Sequence, residues 1–225
     1  MEGDQFDSAM NYNLTFAITD CLAKERISPQ DLIERTSYLR MRYQEPIAQA
    51  QMNLIDSHDV PRFLTQAGGS VQKLKLALLF LMTQPGVPCI FYGDELGLAG
   101  WHEIEYRRCM EWNGGDSELF EYYHNVIQLR KQYNNAIQRG NHLILADNQC
   151  LIYYCTDDVG GILLALNMSP NLQSRSFRLP EGIVVDGLPP TDLLSGREFC
   201  IDGEYLHLDL DSGCAAAIRI QLKLG

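Results

Sequence analysis

Apolar positions in the first hundred residues follow two patterns that predict alternating strands and helices. Short apolar segments without polar alternation are typical of strands buried on both faces, and longer segments with helical spacing are typical of helices. We predict strands at 6–12, 51–55 and 87–92 and helices at 14–25, 28–43 and 70–84. This order predicts a parallel α/β sheet or barrel. Three strands cannot close a barrel, so either the sheet is small and open or the chain is part of a larger barrel.

Two of these helices begin at recognisable capping sequences. Ser28 is a candidate N-cap, Pro29 suits the first helical position, and Asp31 completes a capping-box pattern. Ser70 is the candidate cap of the strongly apolar helix that follows it.

Beyond residue 117 the pattern changes. A helix at 117–134 leads into short apolar segments between residues 143 and 222 that are separated by turn sequences. Short strands at this spacing predict an antiparallel β-sandwich of seven or eight strands. We therefore predict two domains, 1–140 with alternating strands and helices and 141–225 with the sandwich.

Composition and charge narrow the class of protein. The formal net charge is −11 and no basic stripe is present, so we expect no nucleic-acid partner. The seven cysteines include no C-x-x-C pair and several lie in apolar segments such as PCIFY, which indicates reduced thiols in a cytoplasmic protein. The segment MEGDQFD lacks the apolar core of a signal peptide. No apolar run reaches the roughly 18 residues of a membrane span, so no membrane partner is expected.

Polar clusters follow two of the predicted strands. Residues 56–59 read Asp-Ser-His-Asp after the strand at 51–55, and Gly-Asp-Glu follows the strand at 87–92. The carboxyl ends of parallel strands lie on one rim, so both clusters are candidates for an acid–base or charge-stabilising site. The alternative for His58 and Asp59 is a hydrogen-bonded loop cap. A zinc site or a Ser-His-Asp hydrolase is less well supported, because repeated metal ligands and a G-x-S-x-G sequence are missing.

The sequence GWHEIEYRRCMEW at 100–112 is a second candidate region. It combines two tryptophans with three acids and two arginines. Aromatic faces and bidentate polar groups suit sugar rings, which offer apolar C–H faces and hydroxyl edges. The alternative is a structural loop in which Arg107 and Arg108 pair with the neighbouring glutamates.

Four segments of the chain carry a family resemblance. GDQFDSAMNY, MNLIDSHDVPRFLTQAGG, GVPCIFYGDELGLAG and RRCMEW resemble the later barrel regions of the α-amylase family, glycoside hydrolase family 13. They are most similar to its neopullulanase, cyclomaltodextrinase and maltogenic amylase group. The resemblance implies the last three βα units, strands six to eight, of a TIM (β/α)8 barrel, followed by an all-β C-terminal sandwich. It also implies retaining hydrolysis of α-1,4- and α-1,6-glucosidic bonds in cyclodextrin, pullulan or starch oligosaccharides. We expect no cofactor and no metal.

The resemblance also implies roles for four residues. Asp59 matches the family's third catalytic carboxylate, which stabilises the oxocarbenium-like transition state, and His58 matches a residue that binds the same sugar. Glu103 and Arg107 match a substrate-gripping acid and arginine, although residues 102–106 read His-Glu-Ile-Glu-Tyr where the group has Asn-Asp-Pro-Asp/Glu-Cys. The family's Gly-Asp-Glu sequence, present here at 93–95, is expected to be structural.

The family's nucleophile and general acid lie in G-x-R-x-D and G-E-x-W patterns, and this sequence contains neither. We therefore expect the isolated chain to be catalytically inactive and Met1 to be an artificial start, a gene split or a truncation. The missing N-terminal part of the enzyme is then a partner beside the α-glucan, and the resemblance allows a homodimer of the intact enzyme. The alternative is a non-catalytic remnant that binds α-glucan or docks on a partner.

Overall fold

The computed structural model of the chain describes residues 6–223, so most of the segment MEGDQFD lies outside the described residues. The chain divides into two compact units, Met1–Gln128 and Leu129–Gly225. This division comes earlier than the boundary predicted after residue 140. The reason is that helix α8 (Asn134–Arg139) packs against strands of the second unit.

The first unit is mostly helical, as the apolar spacing predicts. The capping box is confirmed, because Ser28 Oγ accepts a hydrogen bond from Asp31 N (3.1 Å) and Asp31 Oδ2 accepts one from Ser28 N (2.9 Å). Ser70 Oγ likewise accepts from Lys73 N at 3.3 Å. A π-helical turn (Thr19–Ala23) continues α1. The helices are α1 (Tyr12–Ile18), α2 (Pro29–Met41), α3 (Glu45–Gln49), α4 (Phe63–Gln66), α5 (Val71–Met82), α6 (Glu103–Tyr106) and α7 (Ser117–Gln132), which runs across the division.

The predicted strands of the first unit have the predicted direction but are shorter. Strand β1 (Met52–Asn53) pairs in parallel with β2 (Val87–Pro88). The strand predicted at 6–12 is wrong in extent, because only Met10 forms a parallel bridge, to Met52. Asn11 ends that strand, since its side chain accepts a hydrogen bond from Leu14 N (3.3 Å) as the N-cap of α1.

The buried side chain of Asn53 holds β1 between its two neighbours. Its Oδ1 accepts a hydrogen bond from Asn11 Nδ2 (2.9 Å), and its Nδ2 donates to Pro85 O (2.7 Å). Cys89 N donates to Asn53 O at 2.7 Å, so the backbone of the same residue completes the parallel pairing. The segments that follow Met10, β1 and β2 consequently leave the sheet at the same end.

The second unit contains two antiparallel sheets, and its eight described strands agree with the predicted seven or eight. The five-stranded sheet has the order β3-β4-β5-β10-β7, and the three-stranded sheet has the order β6-β9-β8. The strands are β3 (His142–Ala146), β4 (Cys150–Thr156), β5 (Gly160–Asn167), β6 (Gln173–Arg178), β7 (Ile183–Val185), β8 (Cys200–Asp202), β9 (Tyr205–Leu210) and β10 (Ala215–Leu222).

The two sheets share one apolar core. Leu206, Leu208 and Leu210 alternate along β9 and are buried in the same cluster as Leu163 of β5 and Ile218 of β10. Strand β5 is buried along almost its whole length, because α8 packs against β4 and β5 as well. Among the helices of residues 6–223, none has the length and apolar character needed to span a bilayer.

The packing of Gly86 against β1 yields a stability prediction. Gly86 has φ +113°, and an added Cβ would lie 2.6 Å from Asn53 Nδ2 and 2.9 Å from Gln51 O. We expect Gly86→Ala to lower the free energy of unfolding by about 2 to 4 kcal/mol, since a left-handed conformation and overpacking both contribute. Gly68, with φ +65° and open space around it, is the matched control, and Gly68→Ala should cost about 1 kcal/mol.

Urea titration measures both losses. The two tryptophans of the chain, Trp101 and Trp112, belong to the first unit, so their fluorescence reports the unfolding of that unit. Equal losses in the two variants would show that the contact with β1 does not matter.

Candidate functional site

The predicted site residues lie at the end of the sheet where β1 ends. After β1, Leu54 and Ile55 are still buried, and the chain then turns at residues 56–60. Ser57 Oγ accepts a hydrogen bond from Asp59 N (3.0 Å), and Ser57 forms an antiparallel bridge with Val60. This tight turn directs the backbone of Asp59 and fixes where its carboxylate can reach.

Asp59 receives three polar contacts. Its Oδ1 lies 3.3 Å from His58 Nε2 and 3.3 Å from Arg107 Nη2, and its Oδ2 accepts a hydrogen bond from Tyr12 Oη (3.2 Å). The side chain is nevertheless 51% exposed. The carboxylate is therefore oriented by its neighbours while an edge of it faces solvent, as a ligand-binding group requires.

Arg107 joins this carboxylate to the loop that precedes α7. Its Nε donates to His58 O (2.7 Å) and lies 3.3 Å from Glu103 Oε1, one helical turn away on α6. The guanidinium therefore contacts His58, Asp59 and Glu103 at once. The structure brings together all four residues that the sequence singled out for this site.

The short helix α6 holds Glu103 and Arg107 in place. Glu105 Oε2 accepts hydrogen bonds from Trp101 N (2.7 Å) and His102 N (3.0 Å). These two backbone donors, that of His102 first, lower the pKa of Glu105, because they stabilise the charged carboxylate. Glu105 is thus a structural residue of the helix N-terminus, whereas Glu103 faces Arg107.

Arg108 has a different environment from Arg107. Its Nη2 lies 3.4 Å from Glu111 Oε1, and Tyr92 Oη donates to its backbone carbonyl at 2.6 Å. These contacts agree with the structural alternative that the sequence left open for Arg108.

Tyr12 is a site residue that the sequence reasoning missed. Its hydroxyl lies 2.9 Å from Ser57 Oγ as well as 3.2 Å from Asp59 Oδ2. Because Tyr12 has a single hydroxyl proton, donation to Asp59 leaves Ser57 as the donor in the other bond. The available signal was its position at the carboxyl end of the first predicted strand, hence near the same rim as His58 and Asp59.

The second polar cluster lies deeper in the unit. Arg62 Nη1 donates to Asp94 Oδ1 (2.9 Å) and both side chains are buried, at 0% and 3% exposure. Glu95 Oε2 accepts a hydrogen bond from Gly93 N (2.7 Å). These contacts agree with the structural role expected for residues 93–95. In the part of the chain that the structure describes, no three His, Cys, Asp or Glu side chains are grouped as metal ligands would be.

Comparison with known proteins identifies the family. The family model described as "Alpha amylase, catalytic domain" matches residues 1–118, more than half of the chain. The chain belongs to the α-amylase family. The resemblance read from the four sequence segments is therefore confirmed.

Individual members of the α-amylase family support the same assignment. A cyclomaltodextrinase from Geobacillus thermopakistaniensis is 38% identical over 215 residues, which cover 93% of this chain and 36% of the relative. Neopullulanase 2 from Thermoactinomyces vulgaris is 37% identical over 201 residues, which cover 87% and 34% of the two chains. A solved cyclomaltodextrinase structure superposes with a TM-score of 0.87 at 30% identity, over 96% of this chain and 38% of that one. This α-amylase family chain thus spans about a third of the length of these relatives.

Proposed function

We propose that the chain is the C-terminal portion of a retaining α-glucan hydrolase and carries the part of the active site that grips the sugar. The observation that supports this most strongly is the convergence of His58, Asp59, Glu103 and Arg107 on one exposed rim of an α-amylase family chain. In this proposal the first unit corresponds to barrel strands six to eight with their helices. The second unit corresponds to the C-terminal β-sandwich.

Asp59 is proposed as the transition-state stabiliser. A retaining glycosidase develops positive charge on the sugar ring as the glycosidic bond breaks, and a fixed carboxylate lowers the energy of that state. This role needs neither nucleophilic attack nor proton donation. The Oδ1 atom of Asp59 lies 3.3 Å from Arg107 Nη2, and the exposed edge of the carboxylate can accept hydrogen bonds from sugar hydroxyls.

His58, Glu103 and Arg107 are proposed to bind the same substrate. Arg107 is anchored by His58 O at 2.7 Å, which leaves part of its guanidinium fork for hydroxyl groups. Glu103 is 67% exposed and supplies acceptor oxygens beside it. The Tyr12 hydroxyl is proposed to orient Asp59, since it donates to one carboxylate oxygen and leaves the other toward His58 and Arg107.

The nucleophile and the general acid are proposed to lie in a part of the enzyme outside these 225 residues. The basis is that neither G-x-R-x-D nor G-E-x-W occurs in the sequence. In the complete enzyme the substrates would be cyclodextrin, pullulan or starch oligosaccharides, with hydrolysis or transglycosylation as the outcome. We propose a cytoplasmic enzyme, since the seven cysteines include no C-x-x-C pair and several lie in apolar segments. We also propose that the intact protein forms a homodimer.

A second candidate function is a non-catalytic remnant that binds α-glucan or docks on a partner chain. The observation that favours it is apolar exposure around the short parallel sheet. Val87 on β2 is 50% exposed, Phe16 on α1 is 53% exposed, and Met10 is 37% exposed. Unpaired strand edges and apolar surface of this kind are typical association sites.

The first prediction of the proposal concerns catalysis. We expect the pure chain to release no reducing sugar from cyclodextrin or pullulan, because one carboxylate cannot supply both nucleophile and acid. The assay is reducing-sugar release at high protein concentration. Turnover that is abolished by Asp59→Asn would contradict the assignment of the missing residues to another part of the enzyme.

The second prediction concerns binding. If the rim grips sugar, maltotriose should bind with a measurable heat, and Asp59→Asn should weaken binding about tenfold through the loss of a charged acceptor. Isothermal titration calorimetry measures both affinities. Asp202→Asn, at an exposed position of β8 in the other unit, is the control and should bind as the wild type does. If Asp59→Asn binds maltotriose as tightly as Asp202→Asn does, Asp59 is not part of the binding site.

A further inference from the structure

A group of charged side chains is buried directly beneath the rim. Asp56, Arg62 and Asp94 are 1%, 0% and 3% exposed, and Asp56 precedes the Ser57–Asp59 turn by one residue. Charged side chains are rarely buried to this extent unless they are paired. We refer to these three residues as the buried triad.

Arg62 connects the two loops that form the rim. Its Nη1 donates to Tyr92 O (2.6 Å) and to Asp94 Oδ1 (2.9 Å), both on the loop after β2. Its backbone N donates to Gly100 O (3.0 Å), just before the α6 segment with Glu103 and Arg107. The guanidinium carbon also lies 3.9 Å from the centre of the Phe91 ring.

Asp56 fixes the other end of the turn. Its Oδ2 accepts a hydrogen bond from Phe63 N at 2.6 Å, which closes the segment 56–63 on itself. The turn with His58 and Asp59 lies inside this closed segment. The buried triad therefore fixes the backbone by hydrogen bonds on both sides of the exposed Asp59 carboxylate.

The charges of the triad balance only if one proton is retained. Two carboxylates against one guanidinium would leave a net negative charge in the interior, which is strongly unfavourable. Within residues 6–223, Asp56 Oδ1 and Asp94 Oδ2 are buried and accept no hydrogen bond from another group. A side-chain hydrogen bond between the two carboxyl groups is among the causes that shift the pKa of each, so a proton on either one supplies the missing donor.

We propose that Asp56, Arg62 and Asp94 are the positioning residues of the rim site and that the two carboxyl groups share one proton, which keeps the triad neutral. The positioning role rests on the proposed glucan-binding function of the rim, whereas the shared proton does not. None of the three side chains touches the sugar. They act by holding the turn that carries His58 and Asp59.

The surroundings favour retention of the proton. Burial, and then the negative charge of Asp56, raise the pKa of Asp94 well above its usual value, and burial also raises the pKa of Asp56. Arg62 acts in the opposite direction on both. The buried hydroxyl of Tyr123 on α7 also interacts electrostatically with the pair. Its pKa is raised by burial and by Asp94, Asp56 and Glu95, so it stays neutral.

The sign of the pH dependence follows from these raised values. The folded chain holds a proton that the unfolded chain releases above the ordinary carboxyl pKa of about 4. The stabilisation is therefore complete below that pKa and is lost as the pH rises through the raised pKa of the pair. In this window the equilibrium constant for unfolding should rise about tenfold per pH unit, as one proton requires.

Asparagine variants test the shared proton. In Asp94→Asn the side-chain amide is a permanent donor for Asp56 and an acceptor for Arg62. The unfolding constant of this variant should therefore not rise tenfold per pH unit, and that of Asp56→Asn should behave in the same way. The double variant Asp56→Asn/Asp94→Asn leaves Arg62 without a carboxylate. Its unfolding constant should exceed the product of the two single effects by at least about a hundredfold. The measurement is urea unfolding followed by tryptophan fluorescence across the pH range.

Maltotriose affinity tests the positioning role. We expect Asp94→Asn to bind maltotriose within about twofold of the wild type, and Asp94→Ala to bind about tenfold more weakly while circular dichroism shows a folded chain. If Asp94→Ala does not fold, Thr65→Val is the second variant, since it removes the bond of 2.7 Å from Gly100 N to Thr65 Oγ1 that supports the same loop. It should weaken binding in the same direction.

Three results would overturn the inference. If the unfolding constant of the wild type changes with pH as it does in both single variants, the shared proton is disproved. A folded Asp94→Ala or Thr65→Val chain with unchanged affinity would disprove the positioning role. A wild-type chain that binds no maltotriose would refute the proposed function and the positioning role together, whereas the pH slopes would still decide the shared proton.

Discussion

The parallel pairing of β1 with segments on both of its sides is the constraint on which the site depends. Asn53 makes this pairing with its backbone and its side chain, through bonds to Asn11, Pro85 and Cys89. Because the strands run in one direction, the residues that follow them meet at one rim. Tyr12 and Asp59 are more than forty positions apart in the sequence and are hydrogen-bonded there.

The same rim contains carboxyl groups in two very different environments. Asp59 is half exposed and lies beside Arg107, so its oxygens can accept hydrogen bonds from a ligand. Asp56 and Asp94 are buried with a single arginine, so they favour a shared proton and fixed internal bonds. Three carboxyl groups with the same intrinsic chemistry are thus suited to different tasks by burial and by the number of nearby cations.

Much of this arrangement could be predicted from the sequence, and the failures have physical causes. Ser28 and Ser70 could be read as caps because capping is a local interaction, and the family motifs identified the four rim residues. The extent of the first strand was mispredicted because the Asn11 cap competes with strand pairing at the same residues. Tyr12 and the pairing of Asp56 with Asp94 depend on contacts between distant segments, which no local pattern encodes.

We propose that the rim formed by Tyr12, His58, Asp59 and Arg107 binds α-glucan. The most direct test is a titration of the isotopically labelled chain with maltotriose, followed by the NMR shifts of assigned amide and side-chain resonances. We expect saturable shifts concentrated at these four residues and at Glu103, with little change in residues 129–223. Saturable binding that leaves the rim resonances unmoved and shifts another surface would contradict it.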